Sequence, residues 1–531
     1  MRRLIYNDDS QGVSETRPGQ AATDLAAWVD KPLKWLNIDT YVWCICFPDI
    51  CMHRTKVGEV YGERFANPPN RAAATIAELH AQDTDVLHVV AAQARRHGVE
   101  FIAGVRMNDT HGLFPDPRDP QISQVLIDHP EWVIRRDDGV PERALDYSLP
   151  QVRQHRLAIL RELAENYDID GIELDFTRWA KFFPRNEAPA KAPLMTQFVG
   201  QVRQMLDEVG QARGRRFALG VQVLESLYLN LLAGLEPKHW VEESGVDFLI
   251  QCDFNCTNPQ LPVTEFAQFC RPADCTHHVR MGNMMAGGWS GKPHARGRTT
   301  AAYKNNPSYG GMVLMPEEAR GAAANIYGFG ADGIGLWNIC CNLGDQHKPG
   351  ETGRDRKKFQ EDMMAWIEAV DTPEKVWAAP RSYHFLPIYK RETLPVRNYP
   401  VNALLQGPTG WPTQIVCFSV KAQGQRLRYR FLCADGERSG DRLQGLMRWR
   451  ILGALPEDLF RFDLNDEPLH VDSEVEADEE LPAVLFTANL EQCAGLAGAN
   501  ALGLTLEKLS AAERPWGMPY MEELEIRVCQ R

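Results

Sequence analysis

The sequence has no long apolar run, no excess of positive charge and no glycine-rich nucleotide-binding motif. No stretch of its 531 residues approaches the run of about 18 apolar residues that a membrane-spanning helix needs. Lys and Arg number 58 against 71 Asp and Glu, and the net charge of −13 argues against a general nucleic-acid-binding protein. No Gly-x-Gly-x-x-Gly opens a helix after the first candidate strand. We therefore expect neither a membrane nor a nucleic acid as a partner.

The 13 cysteines lack the spacing of a metal site or a disulfide framework. Cys44, Cys46 and Cys51 lie close together without a Cys-x-x-Cys, and others stand in apolar runs. An odd number in a long chain favours reduced, buried thiols, so we expect no metal and no cofactor. The strand-like segment Leu4–Asp8 leaves no room before it for a signal peptide, which predicts a cytoplasmic protein. The sequence leaves open whether the chain forms a homo-oligomer.

Short apolar segments alternate with helix-length segments through the first 370 or so residues. Eight strands alternating with helices predict an α/β fold with a parallel sheet, closed as a (β/α)8 TIM barrel. The predicted strands are Leu4–Asp8, Thr40–Phe47, Phe101–Asp109, Gly171–Phe176, Phe217–Val223, Phe248–Phe254, His278–Met284 and Gly333–Asn338. The predicted helices are Asp24–Leu36, Thr84–His97, Pro150–Tyr167, Pro193–Val209, Pro237–Glu243, Val263–Phe269, Pro316–Gly328 and Asp355–Val370.

The last part of the chain has a different pattern. Six prolines fall between Pro380 and Pro412, and short strand candidates separated by turn residues follow. This pattern is typical of an all-β sandwich. We predict a catalytic barrel domain at 1–372 and an accessory β-sandwich domain at 378–531.

The polar residues of the barrel strands predict a site at the barrel mouth. In strand four, Ile172 and Leu174 should face the helices, so that Glu173 and Asp175 point to the barrel axis. For strand six we expect Gln251 and Asp253 to point inward. The outward set should be Phe248, Ile250, Cys252 and Phe254. Barrel enzymes keep their active sites at the C-terminal ends of the strands, so the polar residues there are the candidates.

A ring of acids, amides, arginine and aromatic residues suits a hydroxyl-rich ligand such as a sugar. The predicted substrate-binding residues are Asp8, Asp9, Trp43, Arg106, Asn108, His111, Glu173, Trp179, Gln222, Gln251, Asn283 and Trp337. The predicted catalytic residues are Asp175, Asp253 and Glu225. Glycoside hydrolysis uses one carboxylic acid to protonate the leaving oxygen and a second carboxylate as nucleophile or base. Asp175 is the predicted nucleophile or base, and Asp253, then Glu225, is the predicted acid.

The segment 144–179 resembles glycosyl-hydrolase-like barrel families of uncharacterised bacterial proteins. The matching parts are Leu145-Asp146, Pro150-Gln151-Val152-Arg153 and the strand-four segment Tyr167–Asp175. Its Asp-Gly-Ile-x-x-Asp pattern is also similar to α-amylase-like and chitinase-like barrels, whose acidic residues on this strand are catalytic. The resemblance implies glycoside chemistry. Two departures disfavour particular mechanisms: Thr177 replaces the chitinase-like Glu, and Arg280–Met285 lacks the strand-seven Glu of cellulase-like enzymes.

The resulting prediction is a glycoside hydrolase acting on a small carbohydrate, such as a short oligosaccharide or a glycoside. One alternative is a metal-dependent sugar isomerase or lyase that uses oxygen and imidazole ligands from Asp109, His111, Glu173, Asp175 and Asp253. The absence of a His-x-His pair at the strand ends speaks against it. The other alternative is a carbohydrate-binding protein without catalysis, against which the carboxyl pair speaks.

Overall fold

Eight parallel strands close into a barrel in the computed structural model of the protein. The structure describes residues 3–109, 111, 114–136, 138–184, 186–253, 256–282, 284–285, 314–337, 339, 356–385, 423–435, 444–476, 482–492, 496, 498–515 and 517–529. The barrel strands are β1 (Leu4–Asp8), β2 (Thr40–Cys46), β3 (Glu100–Arg106), β4 (Gly171–Asp175), β5 (Ala218–Leu224), β6 (Phe248–Cys252), β7 (Thr276–Met281) and β8 (Gly333–Trp337). Their order is β1-β8-β7-β6-β5-β4-β3-β2, and the pairing of β1 with β2 closes the ring. The predicted barrel is confirmed.

Helices follow or surround the strands and cover the outside of the barrel. Their bounds are α1 (Ala21–Trp35), α2 (Arg71–Ala81), α3 (Val86–His97), α4 (Gln124–Asp128), α5 (Pro150–Asn166), α6 (Ala188–Arg213), α7 (Leu227–Leu232), α8 (Pro237–Glu243), α9 (Val263–Cys270), α10 (Pro316–Gly328), α11 (Arg356–Glu368) and α12 (Pro373–Trp377). Local signals explain their ends: Asp85 caps α3 through the amide of His88, and Gly98 ends it in the left-handed conformation. Among the helices described, none combines the length and the apolar character that crossing a bilayer requires.

Two apolar layers lie on the two sides of the barrel wall. The outer layer joins strands to helices and includes Ile172, Leu174 and Leu249. The inner layer is small and fills the lower barrel with Ile5, Val42, Ile102, Ala218, Phe248, Ile250 and Cys252. The predicted orientation of strand six is therefore wrong, because Phe248, Ile250 and Cys252 face the barrel axis.

Two antiparallel sheets form the C-terminal part of the chain. The strands are β9 (Arg381–Phe385), β10 (Arg426–Cys433), β11 (Gly445–Leu452), β12 (Leu459–Leu464), β13 (Glu467–Pro468), β14 (Asp472–Glu476), β15 (Ala483–Asn489), β16 (Gly498–Lys508) and β17 (Tyr520–Val528). One sheet has the order β9-β17-β11-β15-β14 and the other β10-β16-β12-β13. Phe462 packs between the sheets, 4.8 Å from the ring of Trp449 and 4.6 Å from that of Phe486. The sheets thus form the predicted sandwich.

The sandwich contacts the barrel along helix α10. A Cβ at Gly321 would lie 2.2 Å from the carbonyl oxygen of Ser382 on β9, so glycine permits the close approach. Asn325 donates to the carbonyl of Leu432 at 2.9 Å and accepts from the amide of Ala434 at 2.9 Å. Helix α12 occupies the predicted linker, and the division of the chain at 372 and 378 stays a prediction.

Candidate active site

Strand register places one layer of polar residues across the mouth of the barrel. Arg106 on β3, Asp175 on β4 and Gln222 on β5 are neighbours in the sheet and point inward. One layer deeper, Glu173 stands between Gly104 and Gly220. The flanking glycines have no side chains, so the carboxyl group of Glu173 occupies the space beside them.

One carboxylate oxygen of Asp175 is held by hydrogen bonds, and the other accepts none from the residues that the structure describes. Its Oδ1 accepts from the Thr177 amide at 2.8 Å, the Thr177 hydroxyl at 2.7 Å and the Arg178 amide at 3.2 Å. Its Oδ2 is buried and has no hydrogen-bond partner among the residues that the structure describes. A buried carboxylate oxygen of this kind is costly unless it serves a ligand or a reaction.

Glu173 is fully buried beneath Asp175 and retains its proton at neutral pH. Asn7, reaching across from β1, donates to Glu173 Oε2 at 2.9 Å. Burial and the negative charge of Asp175 raise the pKa of Glu173 from 4.5 to about 8, against the opposing influence of Arg280. Glu173 is therefore neutral at pH 7 and adds no charge of its own beneath Asp175.

Arg280 on β7 connects three residues of the mouth. Its guanidinium donates to the Thr177 hydroxyl at 3.1 Å and to Gln222 Oε1, and lies 4.2 Å above the ring of Trp337. Because Thr177 in turn donates to Asp175, Arg280 helps to fix that carboxylate through the hydroxyl. One face of Trp337 is thus covered by an arginine.

A second polar cluster lies beside this one at the ends of β1 and β3. Arg106 donates to Asp109 Oδ2 at 2.6 Å and also to Asp9 Oδ1. The opposite oxygen of Asp109 contacts His111 Nδ1 at 2.6 Å. Burial alone would raise the pKa of Asp109, but Arg106, His111 and Arg143 hold it well below its usual range. The His111 ring meets Trp179 edge-on at 5.6 Å, so these two side chains form one wall of the cluster.

Three residues predicted to bind substrate face away from the barrel interior. Asp8 accepts from Trp28 of α1 at 2.9 Å, and Trp43, its neighbour in the sheet, packs in the outer apolar layer. Oε1 of Gln251 lies 3.1 Å from Nε2 of His277. The ring of His277 stacks on Phe266 of α9. For Gln251 the expected inward orientation is wrong, because both faces of a barrel strand are buried and alternation alone does not distinguish them. No orientation was predicted for Asp8 and Trp43, and their side chains lie on the outer side of the barrel wall.

Other predicted residues lie just beyond the C-terminal ends of the barrel strands. Asn108 donates to the carbonyl of Leu145 at 3.0 Å and accepts from its amide at 2.9 Å, so its side chain holds a loop. Asp253 follows the inward Cys252 and accepts from Asn258 at 2.8 Å, whereas Glu225 is buried just beyond β5. The roles of Asp253 and Glu225 stay predictions. Asn283 lies outside the described residues.

Two mouth residues were absent from the predicted site. Thr177 was noted only as a departure from a family pattern, although a hydroxyl two residues beyond a strand-end carboxylate can orient it. Arg280 was named only as the start of the strand-seven segment that lacks a Glu, and it was given no role. Cys44 is a third neighbour, facing inward beside Gly104 with a pKa that burial raises well above its usual value.

The carboxylates of the mouth are not arranged as a metal site. Within the described part of the chain, one group of three or more His, Cys, Asp or Glu has ligand atoms within 4.8 Å of one another, and it is Cys46, Cys51 and His53. The five residues considered for a metal-dependent isomerase or lyase do not form such a group, so that alternative is not favoured.

No protein-family model and no curated protein matches the sequence. Among solved structures, α-L-fucosidase isoenzyme 2 from Paenibacillus thiaminolyticus aligns with a TM-score of 0.41 and 13% identity over 73% of this chain and 52% of that one. A cycloisomaltooligosaccharide glucanotransferase from Paenibacillus sp. aligns with a TM-score of 0.34 and 9% identity over 98% and 57%. An α-amylase from Geobacillus thermoleovorans gives a TM-score of 0.38 and 12% identity over 95% and 99%. The chain spans about half the length of the first two proteins. These likenesses assign no activity to this chain.

Proposed function

We propose that the protein is a glycoside hydrolase that acts on short oligosaccharides or glycosides, with Asp175 as the nucleophile or general base. The proposal rests on Oδ2 of Asp175, which is buried at the C-terminal mouth of a (β/α)8 barrel and accepts no hydrogen bond from the described residues. In such barrels the reacting groups stand at this end of the strands.

The surroundings of Asp175 suit a carboxylate that attacks a sugar carbon or activates water. Three donors on Oδ1 fix the orientation of the group and leave Oδ2 to react. Because Glu173 is protonated, the layer of side chains directly beneath Asp175 carries no negative charge from this residue. Arg280, Arg106 and Gln222 supply donors at the same level for hydroxyl groups of a neutral sugar.

The second carboxylic acid, which protonates the leaving oxygen, comes in this proposal from Asp253 or Glu225. Both are buried: Glu225 follows β5, the neighbour of β4 in the sheet, and Asp253 follows β6, which is the next strand beyond β5. Loss of the acid should slow substrates with poor leaving groups far more than aryl glycosides with acidic phenols, since the latter leave without protonation.

The test is hydrolysis of a panel of α- and β-aryl glycosides and short oligosaccharides. We expect Asp175→Asn to lower kcat/KM by about 10³-fold or more. Asp253→Asn and Glu225→Gln should be compared on good and poor leaving groups, and the variant with the leaving-group-dependent loss identifies the acid. The stereochemistry of the product then decides whether Asp175 is nucleophile or base.

The matched control is Asp138→Asn, an exposed carboxylate paired with Arg136 on the surface. It should retain wild-type turnover. Full activity of Asp175→Asn, or a panel on which the wild-type chain hydrolyses nothing, would contradict the proposal.

A further inference from the structure

Three potential metal ligands meet in a hairpin at the C-terminal end of β2. Cys46 ends β2, and Cys51 lies directly opposite it on the short antiparallel strand Ile50–Cys51. His53 follows two residues later. All three side chains are fully buried.

The spacing of the three ligand atoms fits a single ion. The two sulfur atoms are 3.4 Å apart, and the sulfur and imidazole atoms all lie within 4.8 Å of one another. Tetrahedral zinc with Zn–S bonds of about 2.3 Å places neighbouring sulfur atoms roughly 3.8 Å apart. A small adjustment of the side chains would therefore accommodate the ion between them.

The surroundings of the His53 imidazole point to a bound ligand. Apart from the neighbouring thiol of Cys46, neither ring nitrogen has a hydrogen-bond partner among the described residues, although the imidazole is completely enclosed. Its ring neighbour is Tyr167, edge-on at 5.2 Å, which satisfies neither nitrogen. Leaving a buried polar group unsatisfied costs about 1–3 kcal/mol, and coordination of an ion would remove that cost.

The charges around the hairpin balance a divalent ion. Arg156 contributes one positive charge near the two sulfur atoms, and Asp49 one negative charge. Two thiolates and Asp49 would offset a divalent cation and Arg156. A disulfide between Cys46 and Cys51 would account for the two sulfur atoms but not for His53.

We propose that Cys46, Cys51 and His53 bind one thiophilic divalent cation, with Zn²⁺ as the matching ion, and that this centre fixes the hairpin beside the barrel mouth. Two thiolates and an imidazole are a ligand set that zinc favours, and water fills the fourth position where the protein supplies three ligands. The sequence signal is Cys-x4-Cys-x-His, which lacks the usual paired spacing.

The experiment measures bound metal in the full chain, reduced and then supplied with Zn²⁺ or Co²⁺. We expect one equivalent of Zn²⁺ by elemental analysis, and with Co²⁺ the charge-transfer absorption of thiolate ligation. A chelator should lower the melting temperature of the wild-type chain. The Cys46→Ser/Cys51→Ser variant should bind no metal and lose the chelator-dependent shift.

Two further variants keep the result interpretable. His53→Asn preserves both thiols and should weaken binding and alter the Co²⁺ spectrum, with circular dichroism as the check on folding. Cys270→Ser/Cys275→Ser removes another pair of neighbouring buried thiols and should retain the full equivalent. The proposal is overturned if the reduced chain binds no metal, if a Cys46–Cys51 disulfide is the stable form, or if the Cys46→Ser/Cys51→Ser variant keeps its metal. None of these readouts depends on glycoside turnover.

Discussion

Glu173 and Asp175 stand two residues apart on β4, so both side chains point into the barrel. The deeper one, Glu173, is fully buried and accepts from Asn7 at 2.9 Å, whereas the outer one, Asp175, receives three hydrogen bonds on a single oxygen. Burial and the neighbouring charge of Asp175 are the reasons that Glu173 keeps its proton, as in other sites where a buried carboxyl group stays protonated.

The protonation of Glu173 predicts a pH-dependent stability. The folded chain holds this proton up to about pH 8, whereas the unfolded chain releases it near 4.5, so stability falls as the pH rises between these values. The loss is at most about 1.4 kcal/mol per pH unit. Glu173→Gln cannot ionise, so its free energy of unfolding should fall less steeply over the same interval. Urea unfolding at a series of pH values measures both slopes.

The control for this prediction is Glu187→Gln, an exposed carboxylate that pairs with Lys191 on the surface of α6. Its slope should equal that of the wild-type chain. Equal slopes for Glu173→Gln and wild type would show that Glu173 does not carry the proton.

The sequence predicts the orientation of some strands and not of others, for a physical reason. In strand four, polar residues alternate with Ile172 and Leu174, and the structure has the predicted orientation. In strand six, Phe248, Leu249 and Ile250 are all apolar because one side meets the helices and the other fills the barrel. Alternation of polarity is absent there, so the inward set could not be chosen from the pattern.

At the scale of elements, the barrel wall depends on close approaches between neighbouring strands. Gly220 on β5 faces the ring of Phe248 on β6, and a Cβ at this position would lie 2.0 Å from Phe248 Cζ. Phe248 is enclosed in the inner apolar layer, where the ring has no room to move aside. The glycine is therefore required by the packing of the barrel interior.

Gly220→Ala should destabilise the protein by about 1–3 kcal/mol through overpacking. Gly200→Ala on α6 is the matched control, because its Cβ would meet only the Ser244 hydroxyl at 3.6 Å. Alanine in a helix interior should instead stabilise by up to about 1 kcal/mol. Chemical denaturation of the two variants gives both values, and combining Gly220→Ala with Phe248→Leu should recover part of the loss. Equal effects of the two alanines would contradict the packing argument.

Strand boundaries were predicted best where apolar residues dominate. Leu4–Asp8 has the predicted bounds, whereas β9 (Arg381–Phe385) was not recognised. Its charged residues are paired: Arg381 donates to Asp435 at 2.8 Å and His384 contacts Glu318 at 3.2 Å. A strand whose polar side chains are buried by partners distant in the sequence has no signature in its own sequence.

At the scale of the whole molecule, a buried group of charges joins the sandwich to the barrel. His384 on β9 lies between Glu318 of α10, at 3.2 Å, and Glu523 of β17, at 3.5 Å. Nearby, Glu525 accepts from Ser382 at 2.7 Å and binds Arg448 and Arg527. The imidazole thus lies between a carboxylate of a barrel helix and a carboxylate of a sandwich strand.

That arrangement predicts that contact between the two parts weakens as the pH rises above about 6.5. Burial alone would lower the pKa of His384, but the carboxylates of Glu523, Glu318 and Glu525 raise it above 6.5. A raised pKa in the folded chain gives stabilisation that is complete below about pH 6.5 and is lost as the pH rises through the folded value. In calorimetry and limited proteolysis at a series of pH values, the wild-type chain should lose stability over this range. The stability of His384→Gln should be lower than that of the wild-type chain by on the order of 3 kcal/mol at the acidic end, where a buried ion pair is broken, and should vary less with pH.

The control is His239→Gln, which removes an exposed histidine 3.7 Å from Glu236. Its stability should follow the wild-type curve. If His384→Gln also followed the wild-type curve, the charge on His384 would not contribute to holding the sandwich against the barrel.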